Sequence, residues 1–255
     1  MTNPAPPMLV CLSPHPDDAV LSCGGLLALL SAQGRAAHVV TVFAGPPPLP
    51  EELTPFAHAL HHDWGAPPDP MALRRQEDAC AWAALGCSGR WWEERDAVYR
   101  HPAYDSVGRL FGRPADESAL EDTLSDRCNA LPEELLLFPL AVGRHVDHRL
   151  LFGVGWRLAQ AGRRVAFYED LPYAAWEGGP GGRLAELPVP LYTQVLEVAE
   201  EWPAKMAAVA CYSSQFSSLD RQGLPLLEAL ERYAASIVPG GYGERIWGLQ
   251  EGRWI

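Results

Sequence analysis

Three runs of this chain, 8–13 (Met-Leu-Val-Cys-Leu-Ser), 38–44 (His-Val-Val-Thr-Val-Phe-Ala) and 135–140 (Leu-Leu-Leu-Phe-Pro-Leu), are apolar almost throughout instead of alternating with polar residues. A strand with one wet face alternates, whereas a strand buried on both faces does not, and such strands belong to parallel sheets covered by helices. The spacing predicts helices over 23–33, 71–85, 117–130 and 148–161, with Gly34, Gly86 and Gly162 as stops for three of them. A further strand is expected at 164–168 and a weaker one at 91–99. The alternation predicts an α/β fold, a Rossmann-like three-layer sandwich with a mostly parallel sheet. Beyond Asp170 the pattern loosens into a flexible loop at 177–183, a strand at 191–198, and helices at 203–212 and 225–235.

With 255 residues and 48% hydrophobic content the chain can bury one sizeable core. Residues 1–255 are therefore read as one domain, its core over 8–220 and its C-terminal helices packed on that core. The net charge of -12 and the scattered Lys and Arg argue against a nucleic-acid partner. No stretch is apolar for long enough to span a bilayer, and Met1 to Pro7 carry no basic and apolar leader, so a soluble, cytoplasmic protein is expected. An oligomer is compatible with this composition. Six cysteines without a C-x-x-C pair are expected to be mostly reduced and buried.

The polar groups that matter follow the apolar runs. His15-Pro16-Asp17-Asp18 comes after the first and His145-Val146-Asp147-His148 after the third. Ligands of open α/β sheets bind beyond the carboxyl ends of the strands, which places both groups at the same edge. His145 and His148, three apart at a helix start, can point to one side of its first turn. Two neutral imidazoles and one carboxylate bind Zn²⁺ and leave a position for a water that loses its proton near neutral pH. Asp17, aimed differently from Asp18 where the chain turns, is then free to act as general base. His145, not needed as a ligand, can meet a developing oxyanion and help protonate a leaving amine.

Other residues carry blander readings. Asp147 reads as a cap or favourable charge at its helix N-terminus. His58, His61 and His62 with Asp63 have the spacing of a second cluster, but no strand end positions them and a solvated helix face is expected. Arg74, Arg75, Glu77 and Asp78 form a charged helix end. Trp64 and Trp176 fall in loops where they can stack on a sugar. Gly153-Val-Gly155 lies inside a helix and is no dinucleotide fingerprint, and the first strand-to-helix turn carries acids where a phosphate loop needs glycines.

The stretch Ser13-Pro-His-Pro-Asp-Asp-Ala-Val-Leu-Ser-Cys-Gly-Gly25, with Gly143-Arg-His-Val-Asp-His148, resembles the PIG-L or LmbE-like family of zinc-dependent N-acetylglucosamine deacetylases. Shorter matches are Thr41-Val-Phe-Ala-Gly45, Arg74-Arg-Gln-Glu-Asp78 with Ala84-Leu-Gly86, Asp96-Ala-Val-Tyr-Arg100, Phe167-Tyr-Glu-Asp170, and Lys205 followed by Ser214-Gln215. The resemblance implies His15, Asp18 and His148 as zinc ligands, with Fe²⁺ accepted by the same donors. It implies Asp17 as general base, His145 as the oxyanion-stabilising residue, and Arg75 and Asp96 near the sugar. The implied reaction removes an acetyl or other acyl group from a small-molecule glycoconjugate of N-acetylglucosaminyl type. This chain has Ala19 where many members carry an acidic residue after the two aspartates. That departure leaves a second function class open, a metal-binding homologue that serves as a sugar-binding or regulatory protein.

Overall fold

The computed structural model describes residues 9–132, 135–220, 223–252 and 254–255, so Met1 to Met8, with the first residue of the first expected strand, lie outside the described residues. The chain begins with β1 (Leu9–Ser13), α1 (Asp18–Ala32), β2 (Ala37–Thr41), α2 (Pro55–Asp63), α3 (Pro70–Leu85) and β3 (Ser88–Trp91). It continues through α4 (Ala97–Arg100), α5 (Val107–Leu110), α6 (Ser118–Asn129), β4 (Leu135–Pro139), α7 (Val146–Gln160) and β5 (Val165–Tyr168). The last elements are α8 (Tyr173–Glu177), α9 (Gly181–Leu184), β6 (Tyr192–Glu197), α10 (Trp202–Val209), α11 (Phe216–Leu219), α12 (Leu226–Ile237) and β7 (Gly243–Gly248).

Among the described residues seven strands make one sheet in the order β3-β2-β1-β4-β5-β7-β6. The first five are parallel, and β7 and β6 complete the sheet antiparallel. Every residue of β1 and β4 is buried, which is why their sequences do not alternate. From β1 the chain builds outward to β3, then restarts at β4 on the other side of β1. With right-handed crossovers that reversal sends the helices to opposite faces. Accordingly α1, α3 and α10 pack on one another and α6 packs on α7. The register Leu9↔Leu135 and Cys11↔Leu137 sets β1 and β4 side by side, so their carboxyl ends open at the point where the strand order reverses. Among the described residues no helix is long and apolar enough to cross a membrane.

The structure differs from the sequence expectation at several places. The helix expected at 23–33 starts at Asp18 and kinks at Cys23 (φ -126°, ψ 15°). A Cβ on Gly24 would come within 2.9 Å of Lys205 Cγ, and one on Gly25 within 2.8 Å of Val198, so the two glycines let the kinked helix meet α10 and the chain after β6. The kink frees backbone N–H groups, and Glu244 on β7 takes them up, accepting from Gly25 N and Leu26 N at 2.8 Å each while Lys205 Nζ donates to it at 2.8 Å. The strand expected at 91–99 is instead β3 followed by the short helix α4, because the Asp96 side chain accepts from Val98 N at 3.1 Å and starts a helical turn. The expected loop at 177–183 contains the end of α8 and the start of α9. Four cysteines are free, three of them buried as expected. Cys80 and Cys211 are joined in a disulfide, 131 residues apart in sequence, which no local motif announces.

Lys205 is fully buried, and its ammonium depends on Glu244. Replacing Glu244 with Ala is expected to lose about 3–5 kcal/mol in urea unfolding, because it strands that charge. The pair Lys205→Met with Glu244→Leu should recover most of the loss. A decrease for Glu244→Ala of only about 1 kcal/mol, as for an exposed pair, would show that this contact does not hold the kink.

Candidate metal centre

β1 ends at Ser13, whose hydroxyl donates to His15 O at 2.7 Å and accepts from Ala19 N at 3.0 Å, closing the turn before α1. Asp17 in that turn has φ 113° and ψ -43°, a backbone region that costs a residue with a side chain on the order of 1–3 kcal/mol. Arg74 on α3 clamps the strained turn, donating through Nη2 to Pro16 O at 2.8 Å and to Asp17 Oδ2 at 3.2 Å. The loop after β4 is equally constrained. Ala141 and Arg144 have positive φ, and Gly143 at φ 81° has no room for a Cβ, which would lie 2.5 Å from the Tyr173 ring. This loop delivers His145 as the N-cap of α7, its Nδ1 accepting from Asp147 N at 3.3 Å.

The two loops meet at the Asp18 carboxylate. Asp18 Oδ2 accepts from His15 N at 2.9 Å and stands 3.1 Å from His15 Nδ1 and 3.2 Å from His148 Nε2. Each imidazole is fixed from behind. His148 Nδ1 lies 2.6 Å from Asp170 at the end of β5, which leaves the buried Nε2 to face Asp18. His15 Nε2 lies 3.0 Å from Asp147 Oδ2 and 3.5 Å from Asp96 Oδ2. Asp147, fully buried, also accepts from Ala97 N at 3.0 Å and from Arg100 Nη2 at 2.5 Å, while Arg100 Nε reaches Glu117 at 2.5 Å.

This donor set fits a divalent cation. Bonds of about 2.0–2.1 Å in a tetrahedral site put neighbouring ligand atoms roughly 3.3 Å apart, close to the spacings of Asp18 Oδ2 to the two imidazoles. Asp147 and Asp170 orient the two rings as outer partners of metal-binding histidines do. Among the described residues the groups whose ligand atoms all lie within 4.8 Å of one another are His15, His145 and His148, and His15, Asp96 and Asp147; Asp18 belongs to neither and joins His15 and His148 pairwise.

The electrostatics are those of a buried acidic centre. Burial opposes the charge of Asp18, but His148 and His15 outweigh it and hold its carboxyl below the usual range. Burial likewise opposes protonation of His148, yet Asp18 and Asp170 push it up to about 9, and Asp96, Asp147 and Asp18 raise His15 in the same way. A cation and protons therefore compete for the same lone pairs. His145 goes the other way, lowered by burial and by the nearby His15, and stays neutral. Burial raises Asp17 to about 7 against the pull of Arg74.

His15, Asp17, Asp18, Asp96 and His145 line one cleft of about 190 Å³, and His148 lies beneath it, fully buried. Arg75, expected near the sugar, is not there. Its guanidinium is bound to Ala44 O at 2.9 and 2.5 Å and to Glu93 at 3.1 Å, and its neighbour Arg74 lines the cleft. One residue along a helix turns a side chain by about 100°, and only the packing of α3 decides which arginine faces inward. Asp147, read as a cap, is a buried partner of His15. Asp170, which also follows a strand, partners His148 through a contact that no local motif marks. Ala19 is buried in the hydrophobic core and does not line the cleft. His58, His61 and His62 sit on α2 and join no candidate metal group among the described residues; His61 Nε2 lies 2.5 Å from Tyr99 Oη. Trp64 lines the cleft under the Arg74 guanidinium, 5.3 Å from its ring, and Trp176 lies on α8 beside a neighbouring cavity.

Fold and site together define a class, the hydrolytic enzymes that gather His and Asp side chains at the carboxyl edge of an open α/β sheet. Within it, the chain belongs to the PIG-L family (GlcNAc-PI de-N-acetylase), whose profile matches residues 10–159, and it is a hydrolytic N-deacetylase. A 2'-N-acetylparomamine deacetylase of Niallia circulans is 34% identical over 235 residues, covering 82% of this chain and 80% of the relative. A deacetylase of teicoplanin biosynthesis superposes with a TM-score of 0.79 at 31% identity, over 94% of this chain and 96% of the other. A zinc-inhibited form of teicoplanin deacetylase gives 0.77 at 28% identity, over 94% and 97%.

The chain Glu117–Arg100–Asp147–His15 makes Asp147 structural as well as electrostatic. Asp147→Ala is expected to lower stability by about 3 kcal/mol, since it leaves buried donors of Arg100, Ala97 and His15 unpaired. Chemical unfolding checks this, and a change within about 0.5 kcal/mol, as at an ordinary surface site, would refute it.

Proposed function

We propose that this chain is a divalent-metal-dependent deacetylase of N-acylated amino sugar conjugates of N-acetylglucosaminyl type, with His15, Asp18 and His148 holding the metal. The observation that carries this reading is one buried carboxylate oxygen, Asp18 Oδ2, met by His15 Nδ1 at 3.1 Å and by His148 Nε2 at 3.2 Å, the spacing of neighbouring ligands around one small cation. Zinc suits two imidazoles and a carboxylate, and Fe²⁺ is accepted by the same set. A cation bound there supplies a water of lowered pKa and polarises the acyl carbonyl.

The remaining roles belong to residues of this chain. Asp17 faces the cleft without belonging to the three donors, and Arg74 holds its Oδ2, so its other oxygen is available to take the proton of the attacking water. His145 accepts the Asp147 N–H through Nδ1, which puts the proton of the neutral ring on Nε2, where it donates to the oxyanion as the carbonyl becomes tetrahedral. The proton on Asp17 then passes to the leaving amine as the C–N bond breaks. Asp96 lines the same cleft and accepts from a sugar hydroxyl, and Arg74 takes the sugar-side position first assigned to Arg75.

The test strips the protein of metal and titrates Zn²⁺ or Fe²⁺ back while following free amine from N-acetylglucosamine conjugates; excess zinc is included, since a zinc-inhibited relative exists. Activity should vanish on stripping and return with about one equivalent. Asp17→Asn should still bind metal and lose about 10²–10⁴-fold in kcat, whereas His148→Ala should fail to retain metal. Undiminished turnover by the stripped protein or by Asp17→Asn would overturn the assignment.

A further inference from the structure

The metal-bearing cleft is small for the conjugates such an enzyme would meet. Its volume of about 190 Å³ lies below the roughly 300–1,000 Å³ of sites that enclose a whole small molecule. A second cavity of about 490 Å³ adjoins it, and the two share Val107, Phe111, Tyr173, Ser218 and Leu219 as wall. The aromatic side chains form a continuous path. Tyr173 meets His148 edge-on at 5.7 Å, Phe111 at 5.7 Å and Trp176 at 5.5 Å between ring centres. A ligand with its amide in the first cleft, beside Asp17 and His145, thus has a route lined by Phe111 and Tyr173 into the larger chamber.

The chemistry of that chamber is selective. Among its described lining residues Glu177 is the one ionisable carboxylate, and Arg144 stands 3.3 Å from it while also holding Glu186 at 2.8 Å. A polycationic guest would shed water there and find that carboxylate already paired. An aromatic or alicyclic guest would bury apolar surface on Phe111, Tyr173, Trp176 and Leu219 and stack edge to face. We infer that the second chamber is an aglycone subsite, which makes this enzyme selective for amino sugars linked to an apolar, ring-bearing aglycone over amino sugars linked to polyamines. The inference rests on the sugar-deacetylase reading above. It separates this chain from the preference expressed in the name of its paromamine-deacetylating relative.

The experiment measures kcat/KM of the metal-loaded enzyme, by released amine, on N-acetylglucosamine, its 4-nitrophenyl glycoside, 2'-N-acetylparomamine and N-octanoylglucosamine. The aryl glycoside should exceed both the free sugar and the paromamine derivative by at least about tenfold, the scale of one well-packed ring. Trp176→Ala, and independently Ser218→Trp, which fills the chamber mouth, should each cut the aryl-to-free-sugar ratio about tenfold. Equal values for aryl glycoside and free sugar, preference for the paromamine derivative, or variants that shift the octanoyl-to-acetyl ratio instead would overturn the subsite, the last by assigning the chamber to the acyl chain. Amine release from none of the four would overturn the sugar-deacetylase reading itself and the subsite with it.

Discussion

Asp18 is a buried carboxylate, and its burial is tolerable only because two imidazoles stand against the same oxygen. An isolated carboxylate in so dry a place would neutralise itself by taking a proton; here His15, His148 and the His15 amide hold it ionised. The arrangement draws together the loop after β1 and the first turn of α7 after β4, which the sheet has already placed side by side. Each imidazole then needs a partner for its second nitrogen. His148 finds Asp170 beyond β5, and His15 finds Asp147, whose own charge calls in Arg100 and through it Glu117. Five segments distant in sequence are thereby fixed by the requirement that no charge be left alone, the condition under which buried ion pairs are tolerated.

Two adjacent aspartates have different fates because the backbone turns between them. Asp17 adopts a conformation that costs energy, and the cost is stable only because Arg74 grips both the Pro16 carbonyl and the Asp17 carboxylate. The same grip keeps Asp17 out of the imidazole cluster and in the cleft. Strain of this kind persists where the surroundings over-determine it, and here they do so at the residue whose orientation decides its chemistry.

What was legible in the sequence follows the range of the forces involved. β1 and β4 were visible because burial on both faces leaves an unbroken apolar run, while β3, an edge strand of alternating exposure, left a weak trace and was sought too far downstream. The start of α1 was hidden by the kink at Cys23, which is held open by Glu244, a residue 219 positions from Gly25. That His15, Asp18 and His148 come together is legible because strand ends and local spacing mark them. Asp147 is the favourable charge in the first turn of α7 that local sequence suggests, with His145 as the cap, whereas its partners His15 and Arg100 come from tertiary packing. The choice between Arg74 and Arg75 is a matter of helix phase, and no property of the two residues themselves distinguishes them.

Floor and walls of the cleft therefore carry different kinds of information. The floor is written in two short motifs at the ends of β1 and β4, where a substitution breaks a chain of paired charges. The walls come from α2, α5 with Phe111, the Pro172–Trp176 segment and the Gln215–Leu219 segment, each a short stretch outside the five-stranded parallel core. Such segments tolerate change because the sheet does not depend on them. A fold of this kind can keep one hydrolytic chemistry fixed while its loops exchange substrates, and the residues that choose the substrate are those that periodicity and motif reading are least able to find.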